Sequence, residues 1–474
     1  SDTCFNIMLG CKAGAALNQG DHNILLGCQA GDSITSGGYN VAIGDRTGCS
    51  NSTGSRNITI GGRAGNKVTA FDNILIGHEG GANIVGGHTN IMIGECVAPG
   101  VSSGSNNIIF GQRAMYSGNG SDNIMIGENV GCKATSVDNA IYIGKKAGRD
   151  VIGDDNIAIG RFALHGGSST VGDNTGTYNI TMGYYAGKAI TSGTRNIVLG
   201  KNAARTCTGT GNDNIIVGSH AACKFKSGGS NIFMGCLVAA GCGATGCFNV
   251  VLGHRAMCRM KGAYANVVAG RCAGLFIEGG NYNVILGQYA GRGISGESNF
   301  GGPNVFIGKY AGFKNAGGEN NIAIGCKAMH NCCVTGRFNI SLGRCSSGHL
   351  TCGQRNIVMG DYAGKYLTGG CDNILIGRAA GCGASSSSPL TGCRNIFIGE
   401  CSGQNNIAGS LNVAIGYGVT LSNANGNDQL AIGVGTNHMI AGIGRTSVTI
   451  AGIATVYNAT GIVSATAFYG DGSN

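Results

Sequence analysis

The chain has 474 residues, of which 90 are glycine and only 3 are proline, and it contains no tryptophan. Glycine has no every-third-residue period, which excludes a collagen triple helix, and a hydrophobic share of 42% excludes a disordered glycine-serine linker. The net charge of +9 is spread along the chain without a basic run longer than two residues, so no nucleic-acid-binding segment is expected. No run of about 20 apolar residues occurs, so membrane insertion is not expected either. This weak basic bias fits contact with acidic glycans or, more simply, a solvated surface. A start at Ser1 is consistent with a processed chain or with part of a longer one.

A five-residue pattern recurs along the chain: Asn, then Ile or Val, a variable residue, an apolar residue and Gly. It begins with Asn6-Ile7-Met8-Leu9-Gly10 and can be followed to Gln429-Leu430-Ala431-Ile432-Gly433. There are 25 copies, and adjacent closing glycines lie 16 to 18 residues apart except for three spacings of 23, 21 and 22. The closing glycines are residues 10, 27, 44, 61, 77, 94, 111, 127, 144, 160, 183, 200, 218, 235, 253, 270, 287, 308, 325, 343, 360, 377, 399, 416 and 433.

This regularity predicts an all-β fold, a β-solenoid of about 25 coils with a repeat of about 17 residues, which is too short for two helices. Coils rising by about 4.8 Å each would make a rod of roughly 120 Å. The three long spacings predict loops at 164–178, 292–302 and 382–393. We assign residues 1–437 to the solenoid and 438–474 to a C-terminal β-rich cap or connector, because the pattern decays there into alternating sequence.

The first position of the pattern is Asn in 23 of the 25 copies, the exceptions being Ala140 and Gln429. Stacked coil on coil, these side chains should form an amide ladder, which begins with Asn6, Asn23, Asn40, Asn57, Asn73 and Asn90. The closing Gly permits the positive φ that a tight corner requires.

The remaining strand positions predict which side chains face inward. The second and fourth positions are apolar and share one face, so we expect them to fill the coil interior. The third position should then point outward, yet it is mostly apolar, as at Met8, Leu25 and Phe233. An apolar stripe along a rod indicates a buried interface, and it predicts lateral association, most simply as a parallel homotrimer.

The 22 cysteines lie at turns and corners of the repeat. Equal or similar offsets in adjacent coils place four pairs as candidate disulfides between coils: Cys11 with Cys28, Cys207 with Cys223, Cys242 with Cys258, and Cys371 with Cys393. Such disulfides would imply an oxidising environment, whereas the alternative is thiols that fill space as small apolar groups. No Cys-x-x-Cys occurs, so no metal site is predicted.

Catalytic and cofactor signals are weak. Gly241–Gly246 spells a dinucleotide fingerprint but lies between repeat strands without a helix to follow it, and the nine histidines are scattered. We therefore expect no enzyme activity and no cofactor. Candidate glycosylation acceptors are Asn51, Asn119 and Asn458, whereas the sequons at Asn57, Asn179 and Asn339 fall on the ladder and should be blocked.

Copies such as Asn40-Val41-Ala42-Ile43-Gly44 and Asn412-Val413-Ala414-Ile415-Gly416 resemble the head repeat of trimeric autotransporter adhesins. That resemblance implies left-handed parallel β-rolls in trimers that bind host matrix or surfaces. The unit here is longer than the family's, the aliphatic residue follows Asn directly, and cysteines are frequent. Residues 461–474 are similar to segments of marine bacteriophage tail fibres, which are also trimeric and bind host surfaces.

Together these observations predict a structural or adhesive fibre, extracellular or on a virion surface. Its partners would be further copies of itself and a cell-surface glycan or protein receptor, bound by the three loops. Three alternatives stay open: a self-assembling extracellular filament, a glycan-degrading spike with acids paired between chains, and an ice-binding solenoid. The last needs an outward row of Thr, but the third position carries Thr only at 59 and 181.

Overall fold

The computed structural model describes residues 5–166, 174–206, 211–241, 243–294, 301–330, 335–383, 385–443 and 447–450. The chain divides into two compact units, Ser1–Tyr310 and Ala311–Asn474. Throughout the described ranges the regular structure is β-strand, and none of these residues forms an apolar helix long enough to cross a bilayer.

Each copy of the pattern but the last forms a strand of three residues, made by its second, third and fourth positions, and the last copy lies in the longer β27. The strands of the first unit are β1 (Ile7–Leu9), β2 (Ile24–Leu26), β3 (Val41–Ile43), β4 (Ile58–Ile60), β5 (Ile74–Ile76), β6 (Ile91–Ile93), β7 (Ile108–Phe110), β8 (Ile124–Ile126), β9 (Ile141–Ile143), β10 (Ile157–Ile159), β11 (Ile180–Met182), β12 (Ile197–Leu199), β13 (Ile215–Val217), β14 (Phe225–Ser227), β15 (Ile232–Met234), β16 (Ala244–Thr245), β17 (Val250–Leu252), β18 (Val267–Ala269), β19 (Val284–Leu286) and β20 (Val305–Ile307). Only β14 and β16 lie outside the repeat strands, and they pair with each other.

The second unit continues the same pattern. Its strands are β21 (Ile322–Ile324), β22 (Ile340–Leu342), β23 (Ile357–Met359), β24 (Ile374–Ile376), β25 (Ile396–Ile398), β26 (Val413–Ile415), β27 (Gln429–Val434), β28 (Asn437–Ile443) and β29 (Ser447–Ile450). The strand β27 pairs in parallel with β26, whereas β28 and β29 add antiparallel strands. The pairing therefore changes direction at Asn437, and residues 451–474 of the predicted cap lie outside the described residues.

Within each unit, successive repeat strands pair in parallel and without a shift in register. Ile24, for example, lies beside Val41, and Leu25 lies beside Ala42. The spacing stays near 17 residues, and the chain makes about 24 turns of a parallel β-solenoid. This confirms the predicted fold class and repeat.

Two separate features of the corner require Gly at the closing position, as at Gly94. At Gly94 the φ angle is +150°, a conformation that residues with side chains rarely adopt. A Cβ atom placed there would also lie 2.4 Å from the carbonyl oxygen of Gly111 in the next coil. The corner thus closes only because neighbouring backbones approach each other without an intervening side chain.

The prediction of which side chains fill the coil was wrong. The third position is the buried one, with Leu25, Met92 and Phe233 at 0% exposure, whereas the second and fourth positions are mostly half-buried or exposed. Alternation along a strand puts the first and third positions on one face. The first position is the ladder Asn, which is buried, so the third must share the interior with it.

The interior is narrow, and of the three strand side chains only the third enters it. Opposite the strand lies a small residue three positions after the closing Gly, such as the fully buried Ala30, followed by Gly31. A Cβ atom on Gly31 would come within 2.7 Å of Ile34 and 2.9 Å of Leu25. The aliphatic side chains at the second and fourth positions have no room inside the coil and point outward.

Candidate functional surface

The outward side chains form what we call the aliphatic face, the second and fourth positions of the pattern. The second position is Ile, Val or Leu in every copy, and the fourth is apolar in every copy. Several members are strongly exposed, including Met182 at 41%, Met234 at 44% and Val267 at 44%. No polar residue interrupts either row.

The aliphatic face of the first unit is large enough to be an interface. Its eighteen repeat strands, spaced about 4.8 Å apart, give a strip about 80 Å long, and the two rows lie about 7 Å apart. With side chains about 10 Å across the strip, each chain offers about 800 Å², which equals the share of one partner in a standard protein interface. Monomeric soluble proteins rarely expose contiguous apolar patches of this size.

The amide ladder occupies the interior corner beside the strand. The side-chain oxygen of Asn23 accepts hydrogen bonds from the backbone N–H of Asn40 (2.9 Å) and from the Nδ2 of Asn40 (3.1 Å). The same Nδ2 also donates to the carbonyl of Gly54 at 2.8 Å. Each amide therefore spends its donors and acceptors within the stack, which is what burial of a polar group demands.

The ladder is interrupted at Ala140. Its backbone N–H still donates to Asn123 at 2.9 Å, but it offers no amide to the following coil. Two residues on and on the same face, Tyr142 is fully buried. Its hydroxyl approaches Asn156 without a hydrogen bond of ordinary geometry, and burial raises the pKa of this phenol. A large ring thus takes space that the missing Asn side chain leaves.

Six of the eight candidate disulfide cysteines lie within the described residues. Cys11 and Cys28 are free, exposed thiols at equivalent corners of adjacent coils. Cys371 and Cys393 are also free thiols, and the backbone N–H of Cys371 donates to the Sγ of Cys393 at 3.1 Å. Cys207 and Cys242 lie outside the described residues, so their pairing with Cys223 and Cys258 stays a prediction.

The glycosylation candidates differ in access. Contrary to expectation, Asn51 is only 3% exposed, and its Oδ1 accepts a hydrogen bond from the backbone N–H of Gly54 at 2.7 Å. Asn119 is exposed, although its Oδ1 accepts from Ser102. Asn458 lies outside the described residues. Asn57 and Asn339 of the ladder are buried.

One cluster of metal-ligating groups escaped the sequence interpretation. Side-chain atoms of His78, Glu79 and Cys96 lie within 4.8 Å of one another on adjacent corners. Glu79 is already held by Arg63 at 3.2 Å, and burial together with the carboxylates of Glu79 and Glu95 raises the pKa of the Cys96 thiol. The three residues lie one or two positions after successive closing glycines, so aligning the coils would have found them.

The fold supplies no support for the dinucleotide fingerprint at Gly241–Gly246. Its described residues include the two-residue strand β16, and no helix follows to provide a phosphate-binding N-terminus. The match to the dinucleotide fingerprint is therefore a chance result of the high glycine content.

The geometry defines the chain as a β-solenoid repeat protein with an outward aliphatic face. Comparison of the chain with models of protein families, and with curated proteins, gave no match.

Proposed function

We propose that this protein is the subunit of a structural fibre, extracellular or on a virion surface, whose chains associate laterally through the aliphatic face. The observation that carries the proposal is the unbroken double row of outward aliphatic side chains. Water contact with such a strip is unfavourable in proportion to its area, and a second copy of the chain carries the matching strip in the same spacing.

A parallel homotrimer satisfies this surface most simply. Three chains around a three-fold axis would each turn one strip inward, and closed symmetry leaves no strip uncovered. The resemblance of the repeat to trimeric adhesin heads favours the same arrangement. Surface loops on this scaffold would then contact a receptor.

The structure bears differently on the ice-binding hypothesis and on the filament hypothesis. The Thr residues at the third position, Thr59 and Thr181, are buried, which removes the outward Thr row that the ice-binding hypothesis needs. A self-assembling filament remains the second candidate, because among the described strands β1 is paired on one side, with β2, and an open strand edge can template another chain, whereas β27 is already covered by β28.

The test is the mass of the full chain in solution, by native mass spectrometry and light scattering at micromolar concentration. We expect the mass of three chains. The variant Ile91→Lys/Ile108→Lys/Ile124→Lys would bring three ammonium groups from each chain to the axis, so we expect it to have the monomer mass with unchanged β circular dichroism.

The matched control is Ser103→Lys/Gln112→Lys/Ser117→Lys, which adds the same charge at exposed positions away from the aliphatic face. This control should keep the mass of three chains. A wild-type chain that is monomeric at these concentrations would overturn the proposal.

A further inference from the structure

One corner of the first unit changes its charge along the chain. We define the basic corner as the six residues after each closing Gly of β9–β13, β15 and β17–β19. These positions hold twelve Lys or Arg residues and one acid, Asp150. The cations are Lys145, Lys146, Arg149, Arg161, Lys188, Lys201, Arg205, Lys224, Arg255, Arg259, Arg271 and Arg292.

The same six positions after β1–β8 serve as an internal comparison. They hold six cations and five acids, so the corner is nearly neutral there. Opposite charges in adjacent coils form pairs, such as Arg63 with Glu79 at 3.2 Å and, at the boundary, Lys145 with Glu128 at 2.8 Å. The geometry of the repeat is therefore compatible with a balanced corner, and the imbalance after β9 is a property of the sequence.

Most cations of the basic corner form no ion pair with a carboxylate among the described residues. Asp150 is 5% exposed and lies 3.8 Å from both Lys133 and Arg149. Within the described ranges, no carboxylate lies at ion-pair distance from Arg161, Lys188, Lys201, Arg205, Arg255, Arg259 or Arg271. Like charges stacked about 4.8 Å apart repel one another, and the arrangement becomes favourable once an external anion lies along them.

Aromatic rings line the same corner and carry the cations on their faces. The rings of Phe162 and Tyr185 stack at 4.7 Å. The guanidinium of Arg205 and the ammonium of Lys188 each lie 5.1 Å from the centre of the Tyr185 ring. These contacts hold long side chains in place, so less side-chain entropy is lost when an anion binds.

A second aromatic group repeats this arrangement further along. The guanidinium groups of Arg259 and Arg292 each lie 5.2 Å from the centre of the Phe276 ring. The rings are thus covered by cations or by each other. Non-specific single-stranded nucleic acid binding relies on free ring faces on which bases stack, and these rings do not offer them.

We propose that the basic corner binds a linear acidic polysaccharide that runs along the stacking direction of the coils. The inference rests on the proposed fibre function and names the class of its partner. Twelve cations over nine coils that each rise by about 4.8 Å suit a chain with about one carboxylate or sulfate per sugar; duplex DNA carries a charge every 1.7 Å or so. Arginine, which pairs with such oxyanions through two parallel N–H donors, supplies seven of the twelve cations.

The experiment measures binding of the full chain to heparin, to a polyuronate, to neutral dextran and to single- and double-stranded DNA at low and at physiological salt. We expect salt-dependent binding to both acidic polysaccharides and none to dextran. The variant Arg161→Gln/Lys188→Gln/Arg205→Gln/Arg255→Gln/Arg259→Gln should bind the acidic polysaccharides at least tenfold more weakly.

The matched control is Lys12→Gln/Arg46→Gln/Arg63→Gln/Lys67→Gln/Arg113→Gln, which removes the same charge from the balanced corner and should bind like the wild type. An equal loss in this control, tighter binding to DNA than to either polysaccharide, or no binding by the wild type would each overturn the inference. The solution mass is recorded for every variant: polysaccharide binding by a monomeric chain would reject the fibre proposal but keep the basic corner as the binding site.

Discussion

At the scale of single residues, the closing glycines combine an unusual φ angle with contact between backbones. We expect Gly94→Ala to destabilise the protein by about 3 kcal/mol or more, because the backbone conformation is strained and the methyl group would overlap the carbonyl of Gly111. Urea unfolding and amide exchange in β6 and β7 measure the effect. Gly279 is the matched control, since it has no positive φ and a Cβ there meets nothing within 4 Å; a comparable loss for Gly279→Ala would contradict the explanation.

The interruption of the amide ladder allows a second prediction. Ala140→Asn alone should destabilise, because the Tyr142 ring reaches the ladder, and Tyr142→Leu alone should leave a cavity. Together the two substitutions recreate the common coil, so we expect the double variant to be more stable than the sum of the single effects by about 1–3 kcal/mol. A double-mutant cycle by urea unfolding checks this, and additive effects would show that the two sites are independent.

At the scale of the element, the sequence predicts the coil well and its orientation poorly. Three-residue strands such as Ile91–Ile93 are apolar at every position, so hydrophobicity alone cannot say which face is inside. The deciding signal was the first position: Asn90 needs partners within the stack, and it shares its face with Met92. Side chains alternate between the two faces of a strand, so a buried first position would have predicted that the third position is buried as well.

The basic corner and the His78 cluster were missed for a different physical reason. Their members come from successive coils, whose closing glycines lie 16 to 23 residues apart in sequence, and they become neighbours only when the coils are aligned on that Gly. A search for runs of charge along the chain cannot detect them. Residues 167–173 and 295–300 of the first two predicted loops, and residues 451–474, lie outside the described residues, so the expectations for them stay predictions.

The corner at Cys371 and Cys393 gives a prediction for oxidation. Burial raises the pKa of the Cys371 thiol, and the neighbouring Cys393 raises it further. The reactive thiolate is therefore scarce at pH 7, so we expect disulfide formation to be slow there and faster at pH 9. Alkylation followed by mass spectrometry measures it, with the exposed Cys326 as control. Once formed, the bond closes a loop of about 20 residues and should add about 3 kcal/mol of stability; equal rates at both pH values would count against this account.

At the scale of the whole molecule, the aliphatic face links stability to concentration. If chains cover this face mutually, mass action makes the apparent melting temperature rise with protein concentration. We expect such a rise for the wild type over a hundredfold range and none for Ile91→Lys/Ile108→Lys/Ile124→Lys. Calorimetry at several concentrations measures it, and a wild-type melting temperature independent of concentration would contradict lateral association.

The amide ladder also gives the stack a direction. Side-chain carbonyls of the row accept from the coil that follows in sequence, as Asn73 accepts from Asn90. One N–H of each ladder amide donates back to the preceding Asn, and the other donates to a glycine carbonyl, as Asn90 does to Gly104. The side-chain carbonyls of the row are therefore dipoles aligned along the stack, interrupted at Ala140. A second copy could extend such a line only head to tail, since the opposite meeting would oppose two donors or two acceptors. Growth of any filament from these chains would consequently be polar, with two chemically distinct ends.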